Sequence, residues 1–243
     1  TTYTVAVENP ISRDKGTLEI LKSLSNPDEA PVPATFFVDY DCGVGYTGQV
    51  SVAPGSPATV LNIPTGNTCS ITEVAPMAIP GYTWAAVTYA PGSVVITDKG
   101  MTYQVTAVNS ITRDLGSLTI RKAFDPLTSG YAGTFKISYA CDAAHTGSVE
   151  LVAGQTYMVS GIPTGTVCTV GEPELPAAPA GWTFGTPVLD PSSGAVEITA
   201  KGGEYLFTVT NSISRDLGSL TIRKAFDPLT SGYAGTFKIS YAC

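Results

Sequence analysis

Charge, histidine and long apolar runs are what this 243-residue sequence has least of. Charged residues make up 14% of it and histidine occurs once. Its 13 Lys and Arg are outnumbered by 20 Asp and Glu, for a net charge of −7. That balance excludes a nucleic-acid partner, which needs a basic face. A single histidine cannot supply Ser–His–Asp chemistry to each of several repeated units. No apolar run approaches the ~18 residues of a membrane span, so no membrane insertion of this segment is expected. No Gly-rich phosphate loop or dinucleotide fingerprint follows a candidate strand. The five cysteines form no Cys-x-x-Cys cluster of the kind that holds zinc. The acidic stretches at 26–29 and 39–41 lack the oxygen-ligand spacing of a calcium loop. The expectation is therefore no cofactor, no metal and no enzyme that turns over.

Repetition is what the chain has in plenty. Residues 111–141 and 213–243 are identical except for Thr112 against Ser214, and a more diverged copy begins at Gly16. The unit starts at Gly16, Gly116 and Gly218, so its periods are 100 and 102 residues. Each unit is long enough to bury a core of its own. Two complete modules are expected, 16–115 and 116–217. Residues 1–15 match the C-terminal strand of a preceding module and 218–243 the N-terminal part of a third. The chain then reads as a window on a longer polypeptide, whose neighbouring modules are its first expected partners. Near-copies in series suit an extended surface fibre better than an enzyme.

Clean apolar/polar alternation, with Gly/Pro turns every 8–15 residues and no convincing amphipathic helix, predicts an all-β protein. The expected strands are 17–23, 35–42, 48–53, 58–62, 68–73, 93–97 and 102–109, with counterparts at 117–123, 134–141, 147–152, 156–161, 167–172, 195–200 and 204–211. Seven short strands per ~100 residues fit an immunoglobulin-like β-sandwich.

The alternation also places polar residues on the wrong face. Side chains change face with period 2 along a strand. Lys22 then shares a face with Leu18 and Ile20, and Lys122 with Leu118 and Ile120. Lys224 follows Leu220 and Ile222 in the same phase. Asn109 lies with Tyr103, Val105 and Ala107; Asn211 lies with Tyr205, Phe207 and Val209; Asn9 lies with Tyr3, Val5 and Val7. Glu73 follows Cys69 and Ile71, and Glu172 follows Cys168 and Val170. Each module thus aims one Lys, one Glu and one Asn at its core. Burying an unpaired ammonium or carboxylate is costly. Burial lowers a Lys pKa and raises that of a Glu. A neutral amine is a nucleophile, a protonated Glu can polarise an amide carbonyl, and an Asn amide can expel ammonia. Those are the parts of a spontaneous Lys–Asn isopeptide bond. The alternative is that Lys and Asn sit at strand ends and snorkel to solvent, with Glu paired to Lys.

The order of these elements resembles the Cna-B-type domain of Gram-positive adhesins and pilins. The first strands read GTLEILK (16–22) and GSLTIRK (116–122). The Glu segments read TEVAPMAIPGYTW (72–84) and GEPELPAAPAGWTF (171–184), and the last strands end in TAVNSI (106–111) and TVTNSI (208–213). Tandem repeats of actinobacterial surface proteins, which add a cysteine pair, are similar still. The resemblance implies two triads, Lys22–Glu73–Asn109 and Lys122–Glu172–Asn211, with the glutamates handling protons and the Lys–Asn pairs cross-linked. Glu174 is a rival to Glu172 of the same parity, beyond the break at Pro173. Trp182 in the aromatic position and Gly171 in place of Thr72 depart from the motif without touching the triad. Cys42 and Cys69 are 27 apart, as are Cys141 and Cys168. One disulfide per module is expected, and with it an oxidising, extracellular compartment. A catalytic Cys would want a His, yet Tyr46 stands where module 2 has His145, which reads as a loop residue. Short linkers such as 110–115 predict a stiff string. The function these features imply is a stalk or filament repeat on a bacterial cell surface. The alternative is a set of adhesin modules that bind a host protein or glycan.

Overall fold

The alternating segments do become strands, and each strand buries the face its phase predicts. The computed structural model describes residues 1–126, 130–225 and 232–243. Strand β1 (Lys15–Ser25) buries Gly16, Leu18, Ile20 and Lys22 on one face. It is followed by β2 (Phe36–Asp41), β3 (Thr47–Val52), β4 (Ala58–Pro64), β5 (Thr68–Glu73), β6 (Tyr82–Trp84), β7 (Thr88–Ala90), β8 (Ser93–Val95) and β9 (Thr102–Arg113). The series repeats as β10 (Leu115–Asp125), β11 (Phe135–Ala140), β12 (Thr146–Leu151), β13 (Thr156–Pro163), β14 (Val167–Gly171), β15 (Trp182–Phe184), β16 (Val188–Asp190), β17 (Ala195–Glu197) and β18 (Glu204–Arg215).

Each unit is an all-β sandwich of two sheets. In the first, one sheet runs β4-β1-β9-β6 with β7 also on β9, and the other runs β3-β2-β5-β8. The second unit repeats this as β13-β10-β18-β15 with β16 on β18, facing β12-β11-β14-β17. The inner faces interlock through Leu18, Ile20, Phe36, Val38, Ile71 and Val105 in one core. In the other, Leu118, Ile120, Ile137, Val170, Phe207 and Val209 do the same. Cys42–Cys69 and Cys141–Cys168 are disulfides, each joining the end of the second strand to the fifth.

Three features go beyond the pattern or against it. The first and last strands of each unit run parallel, side by side: Leu18 lies opposite Tyr103 and Lys22 opposite Ala107. The pairs β6/β7 and β15/β16, each strand three residues long, edge the last strand and have too few positions to show alternation. The segment 110–115 is not a linker. Residues Ser110–Arg113 continue β9, held there by β6, and β10 begins at Leu115, so Asp114 alone stands between the strands.

The tails take no inward phase. Residues 1–14, and the described residues of 216–243, carry no strand. Tyr3, Val5, Val7, Leu220 and Ile222 are exposed. A first strand is held by the fourth and last strands of its own unit, and a last strand by the first. Neither tail has those neighbours in this chain.

Candidate functional site: a buried Lys–Glu–Asn centre in each sandwich

Strand register brings the triads together. Lys22 on β1 lies opposite Ala107, and Asn109 on β9 lies opposite Leu24. The two residues are diagonal neighbours on one inward face. Lys122 and Asn211 repeat this, opposite Val209 and Phe124. Glu73, at the end of β5, and Glu172, one residue beyond β14, approach from the facing sheet. The side chains of both lysines and both glutamates are at most 1% exposed. Among the described residues the buried polar and charged set contains little else: Lys22, Glu73, Asn109, Lys122, Asn211 and Thr164. What exposure Glu172 has lies in its backbone, next to exposed Pro173. Glu174, the rival by parity, is exposed.

The two centres are arranged differently. In the first, Glu73 sits between its partners: Lys22 Nζ donates to Oε2 at 2.5 Å and Asn109 Nδ2 donates to Oε1 at 2.5 Å. Asn109 Oδ1 is buried without a partner. In the second, amine and amide meet directly. Lys122 Nζ donates to Asn211 Oδ1 at 2.5 Å, and also to the carbonyls of Ala123 and Val209 at 3.0 and 3.2 Å. Given a C=O length of 1.23 Å, that amine is no more than about 3.7 Å from the Asn211 carboxamide carbon. Asn211 Nδ2 donates to Glu172 Oε1 at 3.0 Å, while Glu172 Oε2 is unpartnered, 3.9 Å from the amine.

Each ammonium also lies over an aromatic ring. Lys22 Nζ is 4.3 Å from the Phe36 centroid and Lys122 Nζ is 4.2 Å from that of Phe135. Both rings start a strand on the inward phase, a signal that could have marked them as lids from sequence. Tyr89 is a partner with no such signal: its hydroxyl accepts from the Glu73 backbone N–H at 2.8 Å.

Burial governs the protonation of these groups. It lowers the Lys122 pKa to about 8, against the opposing charge of Glu172. It also lowers that of Lys22, here opposed by the hydrogen bond and charge of Glu73. Glu172 is pushed up by burial, opposed by Lys122 and by the Asn211 hydrogen bond. A lysine near 8 exposes its lone pair to the adjacent carboxamide in a usable fraction of molecules at neutral pH. The arrangement can therefore support one reaction. Nζ bonds to the Asn Cγ, the Cγ–Nδ2 bond breaks, and the carboxyl group carries a proton from the amine to the departing nitrogen. Ammonia leaves and a secondary amide remains. Glu73, accepting from both nitrogens at once, stands on that proton path.

The remaining sequence candidates lie apart from the centres. His145 is in the loop between β11 and β12, its Nδ1 2.8 Å from Asp142 Oδ1. Cys243 is a free, exposed thiol. Among the described residues no cluster of His, Cys, Asp and Glu could hold a metal, and no helix is long and apolar enough to cross a membrane.

A family model described as "Domain of unknown function (DUF5979)" matches residues 18–112 and again 118–214, most of the chain. No curated protein matches. Among solved structures the chain is similar to the Bacillus anthracis TIE protein (16% identity, TM-score 0.42), over 82% of this chain and 34% of that one. It thus spans about a third of that protein's length. It is also similar to the major pilin T-13 of Streptococcus pyogenes (16%, 0.33; 84% and 98% of the two chains). A third likeness is to a C-terminal fragment of the pilus adhesin SpaC from Lactobacillus rhamnosus GG (13%, 0.40; 87% and 100%). At such identities the likeness concerns the fold alone.

Proposed function

The chain belongs to the DUF5979 family, and we propose that it is a structural repeat of a bacterial surface stalk or filament, each module locked by a Lys–Asn isopeptide bond and one disulfide. The bonds proposed are Lys22–Asn109 and Lys122–Asn211, with Glu73 and Glu172 moving the proton. The observation that carries this reading is the sealed convergence of amine, carboxamide and carboxyl between the first and last strands, found in both modules. Separate burial of these groups would be costly; a neutral amide removes the charge.

The placement also makes mechanical sense. Tension enters a module at the start of β1 and leaves at the end of β9. These strands are parallel neighbours, so such a load shears them against each other. A Lys22–Asn109 bond ties the two strands directly and bypasses the 86 residues between. The Cys42–Cys69 disulfide lies inside the bypassed stretch. It contributes to thermal and proteolytic stability, not tensile strength. The fold supplies the effective concentration, so no enzyme is needed.

One observation favours the adhesin reading. Phe37 and Met77, 53% and 84% exposed, line an apolar cleft with Pro33 and Val74. Lys136 replaces Phe37 in the second module, so the cleft is not a property of the repeat.

Intact mass tests the main proposal. The chain should fall short of its sequence mass by two ammonia molecules, after allowing for disulfide hydrogens. Glu73→Ala should abolish the first loss and spare the second. A native chain with no ammonia loss sinks the covalent mechanism.

A further inference from the structure

The strands that end one module and begin the next meet at Asp114, whose backbone N–H, carbonyl and one carboxylate oxygen are all engaged. Toward the first module, its N–H donates to Gly81 O at 2.8 Å. Its Oδ1 accepts from Thr83 Oγ1 at 2.5 Å. Toward the second, its carbonyl accepts from the Thr164 N–H at 2.9 Å, and the same Oδ1 lies 3.2 Å from Lys201 Nζ. Arg113 does the same with longer reach. Its guanidinium lies 4.7 Å over the Tyr82 ring of the first module and donates to Thr164 O of the second at 2.7 Å.

The two halves of this corner also occur separately. At Arg13–Asp14 only the downstream half is made. Arg13 donates to Thr65 O at 2.8 Å, Thr65 N–H donates to Asp14 O at 2.9 Å, and Lys99 Nζ is 3.0 Å from Asp14 Oδ1. At Arg215–Asp216 only the upstream half is made. Asp216 N–H donates to Gly181 O at 2.9 Å, Thr183 Oγ1 donates to Asp216 Oδ1 at 2.6 Å, and Arg215 lies over Trp182. Residues 112–114 therefore superpose two half-sites that the sequence repeats at 12–14 and 214–216.

We propose that this Arg–Asp corner is a module-to-module clasp: it fixes the angle between consecutive copies, and its upstream half at Arg215–Asp216 is built to receive a further copy of the module. The receiving partner is defined by chemistry already present twice. It offers a Pro-Thr-Gly turn (64–66, 163–165), whose threonine gives both backbone groups, and a lysine (Lys99, Lys201) for the aspartate. The glycines separate the occupied corner from the unoccupied one. Gly81 and Gly181 have the same left-handed φ, 78° and 79°. A Cβ at Gly81 would meet Arg113 Nη1 at 3.0 Å and Thr164 Oγ1 at 3.3 Å, whereas one at Gly181 would meet nothing within 4 Å. The clasp needs no isopeptide bond, so it stands or falls separately from the proposed function.

Backbone amide NMR relaxation on the whole chain tests it. Domains joined by a small interface ordinarily move independently. Here both sandwiches should report one rotational correlation time. Arg113→Ala combined with Asp114→Ala, which removes both bridging side chains, should lower it about twofold, as two bodies of half the mass tumble apart. Arg215→Ala should leave it unchanged. Inserting Gly-Gly between Asp114 and Leu115 leaves each sandwich intact and should uncouple them as fully, which covers the case in which the double variant misfolds. Independent tumbling of the native chain overturns the clasp. So does a single correlation time that survives the insertion.

Discussion

The two Lys–Glu–Asn centres are built from the same residue types on the same strands, yet the first is organised around its carboxylate and the second around its amide. Glu73 takes a hydrogen bond from each neighbour and leaves the Asn109 carbonyl oxygen bare. Lys122 reaches past Glu172 to the Asn211 oxygen and two backbone carbonyls, leaving a Glu172 oxygen bare. One centre bridges amine and amide through a carboxylate, and the other brings amine and amide into direct contact. Their surroundings differ as well. Tyr89 anchors the Glu73 backbone, and Leu189 stands at the matching register position against the last strand. The proposed bond would thus form from two different starting arrangements, which makes each module a control for the other.

The largest contrast should come from removing the cross-link acceptor. Asn109→Ala and Asn211→Ala each delete a proposed isopeptide bond that would close a loop of nearly 90 residues, worth about 4–5 kcal/mol by chain entropy. The affected module should melt on the order of 20 °C lower. The losses should be unequal. Lys22 keeps its Glu73 ion pair, whereas Lys122 loses its nearest acceptor and keeps only backbone carbonyls and a carboxylate 3.9 Å away. Asn211→Ala should therefore cost a further ~1–3 kcal/mol, the usual penalty for an under-satisfied buried group. Module-resolved hydrogen exchange during melting reads both. Equal drops would mean that the difference between the centres has no energetic content.

A smaller effect sharpens the same comparison through pH. In the Asn211→Ala chain Lys122 cannot be acylated, so it titrates. Its folded pKa, about 8, lies below the ordinary value of 10.5. Between those values the unfolded chain binds more protons, so stability rises with pH. Below about 8 both states are protonated and the gain is absent. The full gain, roughly 3 kcal/mol for a shift of this size, is reached only above 10.5. Glu172 has the opposite sign: its folded pKa is raised by burial, so its contribution is present in acid and lost as pH rises through that folded value. The second module should then be least stable near neutrality and recover above pH 8. In the native module, with Lys122 acylated as proposed, this contribution is absent and no recovery should appear. A flat profile for Asn211→Ala would show that Lys122 remains charged throughout.

How far these differences were legible in the sequence depends on periodicity. Period 2 placed all six triad residues inward and located seven strands of each module to within a few residues, including the three-residue β8 and β17. It also set Phe36 and Phe135 on the lysine face. It did not reveal β6, β7, β15 and β16, each three residues long. Nor could it show that the first and last strands run parallel, because alternation carries no pairing information. Read as a linker, 110–115 concealed the Asp114 corner, whose meaning lies in contacts with residues 31 to 87 positions away. The different hydrogen bonding of the two triads has no local signature. Residue types and spacings match, and the divergence enters through neighbours such as Tyr89 on another strand.

That tyrosine gives the smallest test. The hydroxyl of Tyr89 is the acceptor for the Glu73 backbone N–H, at the strand end where the carboxylate turns toward Lys22 and Asn109. Tyr89→Phe keeps the ring, which packs against the core, and removes only the acceptor. The net value of such a bond is about 1 kcal/mol, so the first module should melt only some 4–8 °C lower. The second module, with Leu189 in that place, manages without an equivalent. If Tyr89 also holds Glu73 in its two-handed arrangement, Tyr89→Phe should slow ammonia loss from the first module during refolding and leave the second unchanged. A rate unaffected by the substitution, with the modest drop in melting temperature intact, would make Tyr89 a strand anchor alone. The arrangement of the first centre would then have to come from the register of β1, β5 and β9.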